Sequence, residues 1–403
     1  MELLSPAGNL EKLKYAYLYG ADASYIGIKK FSLRAKADNF KDTEYEEIRL
    51  LKGNKKLYGA LNIYFHNEDL KLLEENIEYL SCYPFDAFII SDIGILPLLK
   101  RHFPSAEFHL STQANCVNIE GAKFYRDLGF SRIIPGRELS LKELEEIKSG
   151  VPDVELEVFV HGAMCLAYSG RCILSSYLAG RSGNKGDCAH SCRWNYRLLE
   201  EEERPGEYLP VIEGENFTTI LSSKDLCMID HLADLRNAGV DALKIEGRMK
   251  SIYYTAIVTR AYRQMLNYIA GNSVPEIEGF RDELFKVSHR EFSTGFYYGR
   301  EEIEVPTEKS YIREYIFIGT VTGRVSQSRY SIDIKNRISA DTPIEYIGPD
   351  VVNIPDNSFS LYDEAGNPVL FANHGKVHIL ETDKNIQPGY IIRAKISTGP
   401  LSG

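Results

Sequence analysis

Short apolar runs of strand-forming residues recur along most of this chain, and an amphipathic helical pattern follows almost every one. That alternation is the strongest constraint on the fold, because consecutive parallel strands need a crossover, usually a helix, to bring the chain back. The runs are Glu2–Ser5, Ala23–Ile28, Lys56–Tyr64, Asp86–Ser91, Glu107–Gln113, Arg132–Pro135, Leu156–His161 and Ala242–Ile245. Between and after them the periodicity predicts helices over Leu10–Tyr19, Asp42–Leu51, Glu68–Leu80, Ile93–Arg101, Ile119–Leu128, Leu141–Lys148, Lys224–Asn237 and Ile252–Tyr268. Asn9 caps the first, and Ser140 with Glu143 forms a capping box ahead of Leu141. Eight such units fit a (β/α)8 TIM-like barrel, whose reactive face is built from the loops that follow the strands. A doubly wound open sheet is the competing architecture, but no Gly-x-Gly-x-x-Gly turn follows any strand.

Past the polar break at Gly271–Glu278 and the segment His289–Phe292, the texture changes. Ile316–Val321, Tyr330–Ile334, Pro343–Ile347, Val377–Leu380 and Tyr390–Ala394 read as strands separated by Gly, Asn, Asp and Pro turns. The expected organisation is a barrel over 1–305, carrying a cysteine-rich insertion at 162–218 after strand seven, and a small C-terminal β-barrel over 306–403. With 44% hydrophobic and 26% charged residues the chain reads as an ordinary globular protein. No run is long enough to span a membrane, and Met1–Pro6 lacks the basic start and apolar stretch of an export signal, so a cytoplasmic location is expected. The net charge of -10 argues against a non-specific nucleic-acid coat, although local basic patches can override the total.

The insertion holds four of the seven cysteines, Cys165, Cys172, Cys188 and Cys192, at a spacing of Cys-x6-Cys-x15-Cys-x3-Cys. Scattered buried thiols would not gather within 28 residues, and disulfides suit neither an odd cysteine count nor a reducing compartment. Converging thiolates hold soft metals, as an iron–sulfur cluster or a structural zinc. The long gaps lean towards iron–sulfur, since zinc sites favour closely paired knuckles. Gly162, Gly170, Gly180, Gly183 and Gly186 let the backbone wrap a compact ligand, and Arg171, Arg181, Lys185, Arg193 and Arg197 face a single acid, Asp187. His190 and Cys227 are alternative ligands.

The segment Glu157-Val-Phe159-Val-His161-Gly162-Ala163-Met164-Cys165, followed by Gly170-Arg171-Cys172, resembles the signature of the collagenase-like peptidase family U32. Leu4–Asn9, Gly20–Gly27, Ser223–Leu226, Lys244–Arg248 and His289–Phe292 resemble further landmarks of that family in the same order. Within that family the chain, with its four cysteines and added β-barrel, resembles the members that hydroxylate tRNA. The resemblance therefore implies hydroxylation of a wobble uridine at C5 in the tRNA anticodon region, a [4Fe-4S] cluster, and prephenate, a small dicarboxylate metabolite, as co-substrate. It also keeps a peptidase and an rRNA cytidine hydroxylase in view.

Strand ends at a barrel mouth are ordinarily apolar unless they serve a site. Ser5, Asn62, Ser111, Gln113, Arg137, Glu138, His161, Lys244, Glu246 and Arg248 break that rule. Alternation sends Lys244, Glu246 and Arg248 to one side, where two cations and an acid make either an anion clamp or a buried ion network. Lys244, Glu246, Arg248 and His161 are the candidate catalytic residues, although a lone histidine at a strand end is commonly a satisfied core residue. Arg34, Lys36, Gln113, Arg137 and Arg193 are candidate substrate or RNA contacts, with a solvated loop the plainer reading for Arg34 and Lys36. No Gly-x-Ser-x-Gly elbow or His-Glu-x-x-His helix is present to serve peptide cleavage.

Overall fold

The computed structural model describes residues 1–28, 31–32, 44–165, 167–172, 174–191, 212–214, 217–219, 223–299 and 311–396. Arg34, Lys36, Cys192 and Arg193 lie outside the described residues.

Eight parallel strands close into a barrel: β1 (Glu2–Ala7), β2 (Ala23–Gly27), β3 (Lys56–Leu61), β4 (Ala87–Ile90), β5 (Glu107–Leu110), β6 (Arg132–Ile133), β7 (Glu155–Ala163) and β8 (Ala242–Ile245). Each pairs with its predecessor, and β8 joins both β1 and β7, so no edge is left open. Helices α1 (Leu10–Leu18), α2 (Tyr45–Lys52) and α3 (Asn67–Glu75) follow the first three strands, and α4 (Ile77–Ser81) continues α3 after a break. The next crossovers are α5 (Leu96–His102), α6 (Ile119–Asp127) and α7 (Leu141–Gly150). Asn9 accepts from the Lys12 amide at 2.9 Å, and Ser140 and Glu143 form the capping box read from their spacing.

Three of the departures from the expected elements have a visible cause. The predicted helix Lys224–Asn237 begins instead as a strand, Asp225–Cys227, antiparallel to the end of β7. Its cause is Asp225, whose buried carboxylate takes the Arg290 guanidinium at 2.7 and 2.9 Å and the Arg290 amide at 3.1 Å, which holds the segment extended; the helix proper spans Leu232–Asn237. The predicted helix Glu68–Leu80 is interrupted at Asn76, whose side chain bonds back to Leu72 O at 2.7 Å. The predicted strand Glu107–Gln113 stops at Leu110, where the Ser111 side chain accepts from the Gln113 amide and caps a single 3-10 turn.

The chain divides into two compact units. Met1–Tyr17, Ala21–Lys250 and Arg290–Ser310 make the first; Leu18–Gly20, Ser251–His289 and Tyr311–Gly403 make the second. The second contains the long helix Ile252–Ile269 and an eight-stranded antiparallel half-barrel sheet. Its strands run, in spatial order, Ile354–Asp356, Ile344–Ile347, Ile391–Lys395, Tyr315–Arg324, Arg329–Ile334, Val377–Glu381, Ser360–Asp363 and Pro368–Val369. Tyr330, Ile332 and Ile334 alternate into its core with Tyr346, Leu361 and Leu380. Arg393, fully buried, binds both oxygens of Glu283 at 2.7 and 2.8 Å and the Tyr253 hydroxyl at 3.0 Å. No described helix is long and apolar enough to cross a membrane.

The first barrel is unusual inside: its lower interior is charged. Arg132 of β6 reaches Glu2 at 2.6 Å, Glu155 at 2.6 Å and Glu157 at 2.9 Å, and Tyr58 of β3 donates to Glu2 at 2.9 Å. Glu157 is fully buried, which by itself would raise its carboxyl, yet Lys244 and Arg132 hold it at about 2. Removing that charge takes the bonded carboxylate from the buried Lys244 ammonium and one of three from Arg132, so Glu157→Gln is expected to cost about 3–5 kcal/mol in denaturant melts at neutral pH. A carboxyl lowered from 4.5 to about 2 stabilises the fold above the higher value and stops doing so as pH falls through the lower one. The gap between wild type and Glu157→Gln should therefore narrow between those two pH values, and a constant gap would contradict the charge assignment.

Candidate functional site

A cleft of about 600 Å³, counting space open to solvent, lies at the carboxyl ends of the barrel strands. Ala60, Ile89 and Ile134 give it apolar lining; Asn62, Ser111, Gln113, Arg137, Lys244, Glu246 and Arg248 give it polar groups; Tyr25 and Phe159 supply rings. The three charged residues of the Lys244–Arg248 segment thus share one cavity, while Ile245 between them is fully buried.

Each cation is seated differently. Lys244 donates to Glu157 at 2.7 Å, with its ammonium 4.7 Å from the Tyr25 ring centre and 5.5 Å from that of Phe159. Burial pulls the Lys244 ammonium below the usual lysine range, and the Glu157 carboxylate opposes that pull. The Arg137 guanidinium sits over the Phe159 ring, 3.8 Å from its centre, and donates to Ala163 O at 3.0 Å. Arg248 donates to Ser32 Oγ at 3.2 Å and is buried over two glycines. A side chain at Gly27 would meet Arg248 Nη1 at 1.9 Å, and one at Gly8 would meet Arg248 O at 2.5 Å. Those glycines are therefore part of the site, because only their missing Cβ leaves the arginine room.

The cysteine-rich insertion folds back onto this mouth. Gly170, at φ +72°, sits so close to Gln113 that a Cβ would stand 2.0 Å from Gln113 O. The Tyr64 hydroxyl donates to Gln113 O at 2.7 Å and lies 3.3 Å from Gly170 O. The Ser169 amide donates to Glu138 at 2.7 Å, and the Arg137 amide donates to Ser169 Oγ at 3.2 Å. Further along, Lys185 pairs with Asp69 at 2.9 Å, and Arg181 pairs with Asp187 at 2.9 Å. The stretch between Cys165 and Cys172 is thus pinned to the loops after β3, β5 and β6.

Within the insertion, Cys172 and Cys188 flank Gly183, with Cys172 Sγ and Cys188 Cβ each 3.8 Å from where its side chain would start. The His190 amide donates to Cys188 Sγ at 3.4 Å, an exposed residue held at φ 54°. Cys165 is exposed just beyond β7. Among the described residues no three His, Cys, Asp or Glu side chains meet as a metal-binding group. Cys116 lies outside the set, and burial pushes its thiol up to about 11.

His161 does not line the cavity. A register shift where Lys244 pairs with Phe159 and Ile245 with His161 breaks the alternation of β7, and the His161 ring packs 5.3 Å from Phe292 instead. Ser5 is buried, its carbonyl accepting from Ser24 Oγ at 2.9 Å, and Glu138 anchors the insertion. Sequence reasoning missed Tyr25, Phe159 and the supporting Glu157. Alternation within Glu155–Phe159 was the available signal, since Glu157 and Phe159 share the inward face.

The glycine seat generates a specific expectation. Gly27→Ala should destabilise the protein by about 1–3 kcal/mol by displacing Arg248. The same change in an Arg248→Ala background should cost far less, so a double-mutant cycle read by thermal melting should show coupling, and additive losses would refute the seat.

The chain matches the model of peptidase family U32 over residues 8–306 and that of the peptidase family U32 C-terminal domain over 313–393. It is similar to a protein of Escherichia coli (strain K12) named tRNA hydroxylation protein P, 36% identical over 393 residues, with 86% of each chain covered. It is also similar to tRNA hydroxylation protein P1 of Bacillus subtilis (strain 168), 36% identical over 402 residues, covering 97% of this chain and 94% of that protein. A 23S rRNA 5-hydroxycytidine synthase of Escherichia coli (strain K12) is 39% identical over 270 residues, covering 67% of this chain and 40% of that protein. From Gly8 into the C-terminal sheet, then, this chain belongs to peptidase family U32.

Proposed function

We propose that this protein is a cytoplasmic RNA hydroxylase that converts a wobble uridine of tRNA to 5-hydroxyuridine. The observation that carries the reading is structural: the loop bearing the cysteines is fastened, through Gly170, directly to Gln113 on the wall of the cationic cavity. The names of near full-length relatives, tRNA hydroxylation proteins, support its coarser part, hydroxylation of an RNA.

Cys165, Cys172, Cys188 and Cys192 would hold a [4Fe-4S] cluster. The donor chemistry fits, with Cys172 and Cys188 drawn to one glycine and a backbone amide already donating to a cysteine sulfur. Such a cluster supplies electron transfer at the rim of the barrel. Lys244 and Arg248 supply positive charge suited to a dicarboxylate, for which prephenate is the proposed co-substrate. Asn62, Ser111 and Gln113 supply polar groups for orientation, and the apolar lining limits water. Arg34, Lys36 and Arg193 are proposed phosphate contacts.

Peptide cleavage has less support, because the cavity lining brings no histidine or cysteine to a hydroxyl or thiol nucleophile among the described residues. Deletion of the gene should abolish 5-hydroxyuridine in total tRNA by nucleoside mass spectrometry, and a Cys172→Ser plasmid should fail to restore it. Anaerobic purification should yield about four irons and four sulfides per chain. An unchanged nucleoside profile would overturn the reading, whereas intact activity with stoichiometric zinc would overturn the cluster alone.

A further inference from the structure

Resting on that assignment, we infer that the target base, a pyrimidine swung out of its stack, lies on the Arg137 guanidinium and is read along its Watson–Crick edge by the Gln113 carboxamide. Arg137 is fixed from one face by Phe159 at 3.8 Å and along one edge by Ala163 O at 3.0 Å. Arg137 also lines the cavity, so a guanidinium held in this way is the cationic plane we assign to the base. Unstacked bases are recognised by planes of this kind, aromatic or guanidinium.

Gln113 complements the platform. Its backbone is held at both ends, its amide donating to Ser111 Oγ at 3.2 Å and its carbonyl accepting from Tyr64 at 2.7 Å. Its side-chain amide has no hydrogen bond among the described residues, although it lines the cavity. A fixed backbone carrying an uncommitted carboxamide is a reading device rather than a structural strut. It presents one donor beside one acceptor, which matches the adjacent carbonyl and N3–H of uracil. The neighbouring hydroxyl of Thr112 cannot compete, since it is committed to Pro135 O at 2.8 Å.

Placement separates this role from that of the other cations. Gln113 and Arg137 come from the loops after β5 and β6, while Lys244 and Arg248 come from β8 and its loop, with Arg248 resting on Gly8, just after β1, and Gly27, the last residue of β2. One wall therefore receives the base and another is left for a carboxylate. Extruding a base is inexpensive in a single-stranded loop, so no wedge is needed to open a duplex.

Binding of two short RNA hairpins tests the inference, one carrying a single uridine in its loop and the other an abasic site at that position. The wild-type holoprotein should bind the uridine hairpin about tenfold more tightly. Gln113→Leu and Arg137→Lys should each reduce that preference severalfold while leaving affinity for the abasic hairpin and its salt dependence in place, because lysine keeps the charge but not the plane. Gln113→Glu keeps the size and removes the donor, so it should show the same loss and remains informative if the leucine variant fails to fold. A preference that persists in all variants, or is absent from the wild type, overturns the inference. The nucleoside profile of the deletion strain reports separately on the hydroxylase assignment, so either conclusion can fall without the other.

Discussion

A carboxylate sealed inside a barrel stays ionised only where cations reach it, and Glu157 has two. Lys244 bonds it at 2.7 Å and Arg132 at 2.9 Å. The arrangement does more than neutralise a buried charge. It anchors the ammonium of a lysine that also faces the cavity, and so carries a cation from the sealed interior to the reactive end. Buried ion pairs seldom add net stability compared with apolar packing, because desolvating both partners costs several kcal/mol. Glu157 is better understood as fixing where Lys244 stands and in which protonation state.

Above that layer, position is enforced by close approach. Arg248 occupies space vacated by two missing side chains, and the insertion crosses the rim at a glycine whose backbone conformation other residues adopt poorly. Polar ties then set the direction of the loop: Ser169 on Glu138, Tyr64 between Gln113 and Gly170, and Lys185 on Asp69. Since these contacts come from the loops after three different strands, tilting the insertion would break several bonds together. The stretch between Cys165 and Cys172 is consequently held at a defined distance from the cavity wall.

Much of this was legible from residue pattern alone. The eight strands follow from alternating apolar runs, and the Lys244–Arg248 segment and Gln113 stood out as polar residues where a buried strand should stay apolar. What escaped depended on contacts distant in sequence. Asp225 looks like an early helix residue until Arg290 claims it, and His161 looks inward-facing until the register shift beside Phe159 breaks the alternation. The roles of Gly8 and Gly27 could not be read locally either, because the arginine that needs them arrives more than two hundred residues later.

The family name speaks of peptide cleavage, and the cavity can be judged against that chemistry. Cleavage by a side-chain nucleophile requires a hydroxyl or thiol next to a base. Of the hydroxyls in the lining, that of Thr112 is donated to Pro135 O, that of Tyr25 is donated to Ile245 O at 3.1 Å, and Ser111 Oγ accepts an amide. His161 has turned towards Phe292, while His109 packs on Tyr58 in the buried interior, where burial pulls its imidazolium below the usual histidine range. What remains is an inventory for binding: three cations, one carboxylate, two carboxamides and two rings beside an apolar lining. A site built that way holds and orients its substrate, and the proposed hydroxylation assigns the redox chemistry to a cluster on the cysteine loop, which is fastened beside it at Gly170.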